Sequence, residues 1–249
     1  MPQPLAEPRL FQTAVHPCGY WPQRLARDLV IDPQDPRLGQ FYPQTLAAGF
    51  RRSGNLLYRP HCGQCHACVA VRIDCARFVP NRSQRRCLKR NADLRVRILP
   101  AGRNEERLQL YQRYLAARHA GGGMDAHQGE DYDQFLGSDW ARSLCLEIRG
   151  PGGDGEDTLL AVALTDMCSN GLSAVYTYYE PQQPWRALGT YAILQQVLWA
   201  RASGLPHLYL GYWINGHPKM AYKRHFSGLQ AHDGLNWHDL PSNRGTGPA

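Results

Sequence analysis

Three cysteines recur at intervals of three in Tyr58-Arg59-Pro60-His61-Cys62-Gly63-Gln64-Cys65-His66-Ala67-Cys68, with two histidines among them. Thiols so closely spaced can share one ion without help from distant parts of the chain, and thiolates favour zinc or an iron–sulfur cluster. The Cys-x2-Cys-x2-Cys spacing is also that of ferredoxin-type cluster loops. Residues 1–80 as a whole are rich in Pro, Cys and His. Pro33, Pro36, Pro43 and Pro60 punctuate them, so turns and short extended pieces are expected. A bound metal would compensate for the apolar core that such a segment cannot easily build. Cys18, in Pro17-Cys18-Gly19-Tyr20, is the expected fourth ligand, with His61 and His66 as alternatives. Ordinary reduced cysteines are the competing reading. Cys75, Cys87, Cys145 and Cys168 stand singly among apolar or basic neighbours and read as buried thiols.

The 249 residues, 43% of them hydrophobic, suffice for one large domain or two small ones. A net charge of +7, from 28 Lys+Arg against 21 Asp+Glu, favours nucleic acid, acidic peptides or anionic membranes as partners. No stretch approaches the roughly 20 apolar residues that cross a bilayer. The start, Met1-Pro2-Gln3-Pro4-Leu5-Ala6-Glu7, lacks the basic and apolar regions of a secretory signal. The expectation is a cytoplasmic protein with no membrane partner. In that reducing compartment cysteines read as ligands or buried thiols before disulfides.

Arg82, Arg85, Arg86, Lys89 and Arg90 form a basic strip that Asp93 alone offsets nearby. Spacings of three to four residues let them share a helix face. Contact with nucleic-acid phosphates is the functional reading and a solvated helix face the bland one. Ser83 is expected to cap this short helix, which runs to about Asn91. A strand follows at Leu94–Leu99. Then come a helix opened by Asn104-Glu105-Glu106, with Leu108, Tyr111 and Leu115 on one face, and a short helix over Asp131–Leu136. Strands are expected at Leu144–Arg149, Thr158–Thr165 and Leu172–Tyr179, the first two joined by a Gly-rich hairpin loop from Gly150 to Gly155. A helix over Gly189–Ala202, a strand over His207–Tyr212 and a short helix over Pro218–His225 complete the pattern, and residues 241–249 read as a disordered tail. The order implies an α/β chain with a mixed sheet, and no Gly-rich loop follows the first strand as in a doubly wound nucleotide fold.

Arg186-Ala187-Leu188-Gly189-Thr190 opens the long helix, where free backbone N–H groups make an anion site. The turn resembles the Arg/Gln-x-x-Gly-x-Gly/Ala turn with which GNAT-type acyltransferases hold the coenzyme A pyrophosphate, although Tyr191 breaks its last position. Downstream, Ala221-Tyr222-Lys223-Arg224-His225-Phe226 resembles the GNAT ending Tyr-x-Lys-x-Gly-Phe, with His225 in place of Gly. Together these imply a GNAT-like acyltransferase domain over 81–240, preceded by a small Cys-rich domain over 1–80.

A longer set of strings runs through nearly the whole chain. It comprises Pro17-Cys18-Gly19-Tyr20, Arg52-Ser53-Gly54-Asn55, Tyr58-Arg59-Pro60-His61-Cys62, Pro80-Asn81-Arg82-Ser83-Gln84-Arg85-Arg86 and Gly121-Gly122-Gly123-Met124-Asp125. It continues with Leu188-Gly189-Thr190-Tyr191, Gly211-Tyr212-Trp213-Ile214 and Lys219-Met220-Ala221-Tyr222-Lys223. In these the chain resembles the bacterial aspartate/glutamate leucyltransferases, relatives of the arginyl-tRNA–protein transferases. The resemblance implies an enzyme that moves leucine from leucyl-tRNA to proteins beginning with Asp or Glu and marks them for degradation, with no cofactor needed for transfer. Tyr222 is then the candidate proton donor to the leaving ribose oxygen and Asp166 a candidate base. Arg186, Lys219 and Lys223 are candidates for holding the acceptor's acidic side chain, and Gly189 and Thr190 for binding substrate. Leucyl-tRNA and acidic protein N-termini are the expected partners of a monomer. Two other readings compete. A coenzyme A-dependent N-acyltransferase would bind coenzyme A despite the broken turn. A non-catalytic, zinc-dependent RNA-binding protein would leave the large second half without a task.

Overall fold

The computed structural model describes residues 7–118, 129–151 and 157–240. The string Gly121–Asp125, most of the hairpin loop after Gly150 and the tail over 241–249 lie outside the described residues.

The first part is built from short strands. These are β1 (Leu10–Gln12), β2 (His16–Pro17), β3 (Leu25–Ala26), β4 (Asp28–Ile31), β5 (Arg51–Ser53), β6 (Leu56–Pro60) and β7 (Val69–Asp74). Between β4 and β5 lies a helix that the proline punctuation concealed, α1 (Leu38–Ala47), with Pro43 inside it. An internal proline costs about 3 kcal/mol. Here the buried stripe of Leu38, Phe41, Tyr42, Thr45 and Leu46 outweighs it. β1, β4, β6 and β5 form an antiparallel sheet in that order, while β2 and β3 pair separately.

The remaining elements are α2 (Arg82–Arg90), β8 (Arg95–Pro100), α3 (Glu105–Arg118), α4 (Gly129–Leu136), β9 (Ser143–Pro151), β10 (Asp157–Cys168), β11 (Gly171–Tyr179), α5 (Leu188–Ala202), β12 (His207–Trp213), β13 (Leu229–His232) and β14 (Trp237–Asp239). Two 3-10 helices cover Pro184–Arg186 and Pro218–His225. The cap of α2 is Asn81 rather than Ser83. Asn81 accepts from the Gln84 N–H while the Gln84 side chain accepts from the Asn81 N–H, a reciprocal capping box.

Eight strands form one sheet in the order β14-β13-β7-β12-β11-β10-β9-β8. β10 runs through it as a continuous buried stretch because both faces are covered. Leu160 and Ala163 belong to the core that α5 closes with Leu188, Leu194 and Val197. Leu159, Val162 and Leu164 face the other way, against Leu110, Tyr111 and Leu115 of α3 and Tyr132 and Leu136 of α4. β7, from the first eighty residues, lies inside this sheet between β13 and β12, so the boundary expected at residue 80 runs through one hydrogen-bonded layer. A third cluster joins Tyr42 and Leu46 of α1 to Cys168 and Tyr209 of the large sheet.

Candidate active site

β11 and β12 are parallel neighbours, but they pair only at Leu172–Leu208 and Ser173–Tyr209 and then part. Each strand is irregular at that point. Against β10, Thr165 faces Ala174 and Leu164 faces Tyr176, leaving Val175 as an extra residue. Against β7, β12 shifts register between Tyr209 and Tyr212, where Gly211 takes a φ of +72°. The backbone groups freed at such a split need partners. Two cations provide them. Arg51, which opens β5, donates from Nη2 to the Val175 carbonyl. Lys223, in the second 3-10 helix, donates to the Leu210 carbonyl at 2.8 Å and to that of Tyr212. A Cβ on Gly211 would lie 2.5 Å from Arg51 Nη1, so a glycine is what admits the guanidinium to the gap.

Tyrosines line the gap. Tyr20, Tyr58, Tyr212 and Tyr222 all lie within electrostatic reach of Arg51. Burial pushes each phenol upward, Tyr20 to about 12, and Arg51 opposes the shift in every one. They therefore remain protonated donors near neutral pH. Burial first, and the Arg51 charge second, pull the Lys223 ammonium down to about 7. Tyr222 is 40% exposed, and its phenol lies within electrostatic reach of Arg51 and Tyr179. Tyr179 in turn packs beneath Gly189, where a Cβ would meet its ring at 3.2 Å. Tyr114 packs edge-on against Tyr179 with ring centres 5.0 Å apart, and the Arg118 guanidinium lies 5.9 Å from that ring.

The first turn of α5 adds free donors. Its N-cap, Ala187, is left-handed at φ +53° and makes no side-chain cap, so the leading N–H groups stay open to an anion. Gly189, in this first turn, packs on Tyr179, which lies within electrostatic reach of Tyr222, and Lys219 is exposed on the same 3-10 helix as Tyr222 and Lys223. The region therefore combines open helix N–H groups, protonated phenols and the fixed Arg51 charge.

Two residues singled out in the sequence are committed elsewhere. The Arg186 guanidinium grips both oxygens of Asp93, at 3.0 and 2.8 Å, and also meets Gln183 at 2.7 Å and Asn91 at 3.3 Å. It locks the end of α2 to the start of α5. Asp166 is wholly buried. Arg52 Nε and Nη2 donate to it at 2.6 and 2.9 Å, Tyr42 at 2.7 Å and Ser143 at 2.6 Å. These bonds tie α1 and β5 to β9 and β10.

The basic strip lies on α2. Arg85 turns back to the Pro80 carbonyl at 2.6 Å and Arg90 donates to the Trp185 carbonyl. Arg82, Arg86 and Lys89 are exposed and have no partner among the described residues.

Cys18, Cys62, Cys65 and Cys68 gather in one neighbourhood. The Cys68 thiol is pushed up to about 12, by burial first and then by the other three sulfurs. Cys65 is lowered, first by the Ala67 N–H donating to it, with Arg24 adding a bond at 3.4 Å. The donor set suits a thiolate metal, yet among the described residues no three His, Cys, Asp or Glu side chains converge closely enough to hold one ion. His61 and His66 are exposed. Cys75, Cys87, Cys145 and Cys168 are buried, as their neighbours in sequence suggested. Cys68 and Cys18 also act on Tyr20, so this neighbourhood borders the tyrosine-lined gap.

Of this group only Tyr222 was given a role from sequence; Arg51, Tyr20, Tyr58 and Tyr212 were not. A signal was present: Arg51 and Arg52 are adjacent in a strand and must face opposite ways. One of them is matched by Asp166, and the other enters the cleft.

The family model described as "Arginine-tRNA-protein transferase, N terminus" matches residues 16–86, and its C-terminal counterpart matches residues 106–233. Among curated proteins, the aspartate/glutamate leucyltransferase of Stenotrophomonas maltophilia (strain K279a) is 59% identical over 238 residues, 95% of each chain. That of Xylella fastidiosa (strain M23) is 60% identical over 230 residues, covering 92% of this chain and 91% of the relative. Among solved structures, FemX matches at a TM-score of 0.47 and 8% identity, over 77% of this chain and 64% of its own.

Proposed function

Because this chain belongs to the arginine-tRNA-protein transferase family, we propose that it moves leucine from leucyl-tRNA to the N-terminal amine of proteins that begin with Asp or Glu. The observation that carries this reading is near-full-length identity of 59–60% to proteins named for that activity. The cleft supports it chemically.

The donor is an ester and needs no further activation. An N-terminal amine has an ordinary pKa of about 7.7–8.0, so part of it is neutral near pH 7. That neutral nitrogen attacks the leucyl carbonyl. A C–N bond forms and the bond to the ribose oxygen breaks. The amine gives up a proton and the ribose oxygen gains one. Tyr222 is our candidate donor of that last proton. The open N–H groups at Gly189 and Thr190 receive an anionic group of the tRNA end, and Lys219 on the rim guides acidic acceptors. Arg82, Arg86 and Lys89 contact tRNA phosphates, with Arg85 and Arg90 extending the same field. Arg186 and Asp166 position the elements of the cleft and touch no reacting atom.

The layout of strand, splayed strand and helix N-terminus supports a GNAT-like reading for the 81–240 portion, with β7 and β5 of the 1–80 portion built into the same working unit. Cys18, Cys62, Cys65 and Cys68 would hold zinc or an iron–sulfur cluster once drawn together, and such a group would brace the loop beside Tyr20. Elemental analysis of anaerobically purified protein tests this. The reading includes a monomer at work in the cytoplasm, where a consumer of charged tRNA meets its donor.

The deciding experiment incubates pure protein with leucyl-, arginyl- or phenylalanyl-tRNA and a peptide beginning with Asp, then weighs the peptide. A gain of one leucine residue, from leucyl-tRNA alone, is expected. No gain from any charged tRNA would end the proposal.

A further inference from the structure

We infer that Arg51 is the residue that reads the acidic side chain of the acceptor, a specificity role that rests on the transfer reaction proposed above. The argument begins with charge matching. Arg52, Arg107 and Arg186 are the arginines fully buried among the described residues. Each meets a carboxylate, at 2.6 Å on Asp166, 2.8 Å on Glu147 and 2.8 Å on Asp93. Arg51 is half-buried in the strand gap and meets no carboxylate among the described residues. Its surroundings are the Val175 carbonyl and the hydroxyls of Tyr20, Tyr58, Tyr212 and Tyr222. A cation held in a crowded gap without a counterion is an incomplete ion pair, and a carboxylate brought by the acceptor completes it.

Geometry favours this arginine over the other cations. Nη2 is fixed by the Val175 carbonyl, and Nη1 packs against Gly211, where a Cβ would meet it at 2.5 Å. The fork is therefore pre-set, as paired recognition of a carboxylate requires. Lys223 is held by two backbone carbonyls and, at about 7, loses its charge near neutral pH. Lys219 is exposed, where a charge attracts without selecting. Arg51 also faces Tyr222, so an acceptor gripped there has its α-amine a few bonds from the proposed point of transfer. Asp and Glu differ by one methylene, a small difference for an open gap to absorb. Asn and Gln have the same shapes without charge, and leave Arg51 unpaired.

The test compares Arg51→Gln and Arg51→Lys with the wild type. Transfer of leucine is followed on peptides beginning with Asp and Asn, together with leucyl-tRNA binding and thermal unfolding. In the Gln variant, kcat/KM for the Asp peptide should fall by roughly 30-fold or more. The Asn peptide should change little, so the Asp/Asn preference collapses while leucyl-tRNA affinity stays within about twofold. The Lys variant keeps a cation and should retain folding with an intermediate preference, which secures the test if the Gln variant unfolds. A preference equal to wild type in the Lys variant and any folded Gln variant would overturn the role. So would equal losses on both peptides, which would make Arg51 a general support of the cleft. Failure of the wild type to leucylate any peptide is a separate result, and it refutes the transfer reaction itself.

Discussion

Replacing Asp166 by Asn distinguishes a structural anchor from a catalytic base. In the native protein both carboxylate oxygens are occupied by Arg52, Tyr42 and Ser143, and neither Arg52 nor Asp166 has any exposed side-chain surface. The substitution removes the charge, leaves the Arg52 guanidinium buried without its counterion and turns an amide N–H toward existing donors. Breaking one side of a fully buried pair costs about 3–5 kcal/mol. Domains are typically stable by about 5–15 kcal/mol, so roughly a fifth or more of the total is at stake. For a chain of this size that corresponds to a fall in melting temperature of roughly 6–20 °C. Circular dichroism melts measure it. Leucyl transfer per folded molecule, assayed well below the new melting point, should remain within a few-fold of wild type. A paired Arg52→Met/Asp166→Leu variant should lose less stability than either single change, because no lone charge is left inside. The reasoning fails if Asp166→Asn melts within about 2 °C of wild type yet no longer transfers leucine.

Three further outcomes are expected. Tyr222→Phe should preserve tRNA and peptide binding and slow single-turnover transfer by about 10²–10⁴-fold; a rate within about threefold of wild type removes Tyr222 from the chemistry. Lys223 is depressed from 10.5 to about 7 in the folded state, so between those values the unfolded chain holds the extra proton and stability rises with pH. Urea midpoints at pH 6 and 9 should show that rise in wild type and a flatter profile in Lys223→Met; equal profiles refute it. Charge reversal at Arg82, Arg86 and Lys89 should weaken tRNA binding and lower the log–log salt slope by roughly 0.7–0.9 for each phosphate that is no longer neutralised, whereas an unchanged slope means that the strip only faces solvent.

The second half of the chain was the more legible because its elements carry their own periodicity. The strands at Leu144, Thr158, Leu172 and His207 and the helix ending before Gly204 all stand within a few residues of where alternation and punctuation place them. α1 was hidden because Pro43 is a local signal against helix, whereas its buried stripe faces partners distant in sequence. Asn81 was passed over for Ser83 because both are capping residues, and the choice depends on Gln84 standing three positions after Asn81. The placement of β7 could not be read at all. Its pairing with β12 joins residues 69–74 to 207–213, a long-range match that no local pattern records.

The site shows the same division. Gly189, Thr190, Tyr222 and Lys223 were visible as strings because they sit on the ends of regular elements, where sequence and geometry are closely linked. Asp166 and Arg186 were visible as polar residues near those strings, but sequence does not reveal whether a polar residue already has a partner. Arg52 and Asp93 supply the partners from 114 and 93 residues away. Arg51 was obscured for the opposite reason: its significance lies in having no carboxylate, and that can be judged only once neighbouring strands are in place. The interlock explains why cleft and anchor arise together. β5 carries Arg51 toward the gap and Arg52 toward Asp166, so the pair that fastens the first segment to the large sheet also sets the position of the cation. Loosening Arg52 should therefore cost mainly stability and shift the Asp/Asn preference by no more than the few-fold expected of Asp166→Asn, because Arg51 keeps its own bond to the Val175 carbonyl.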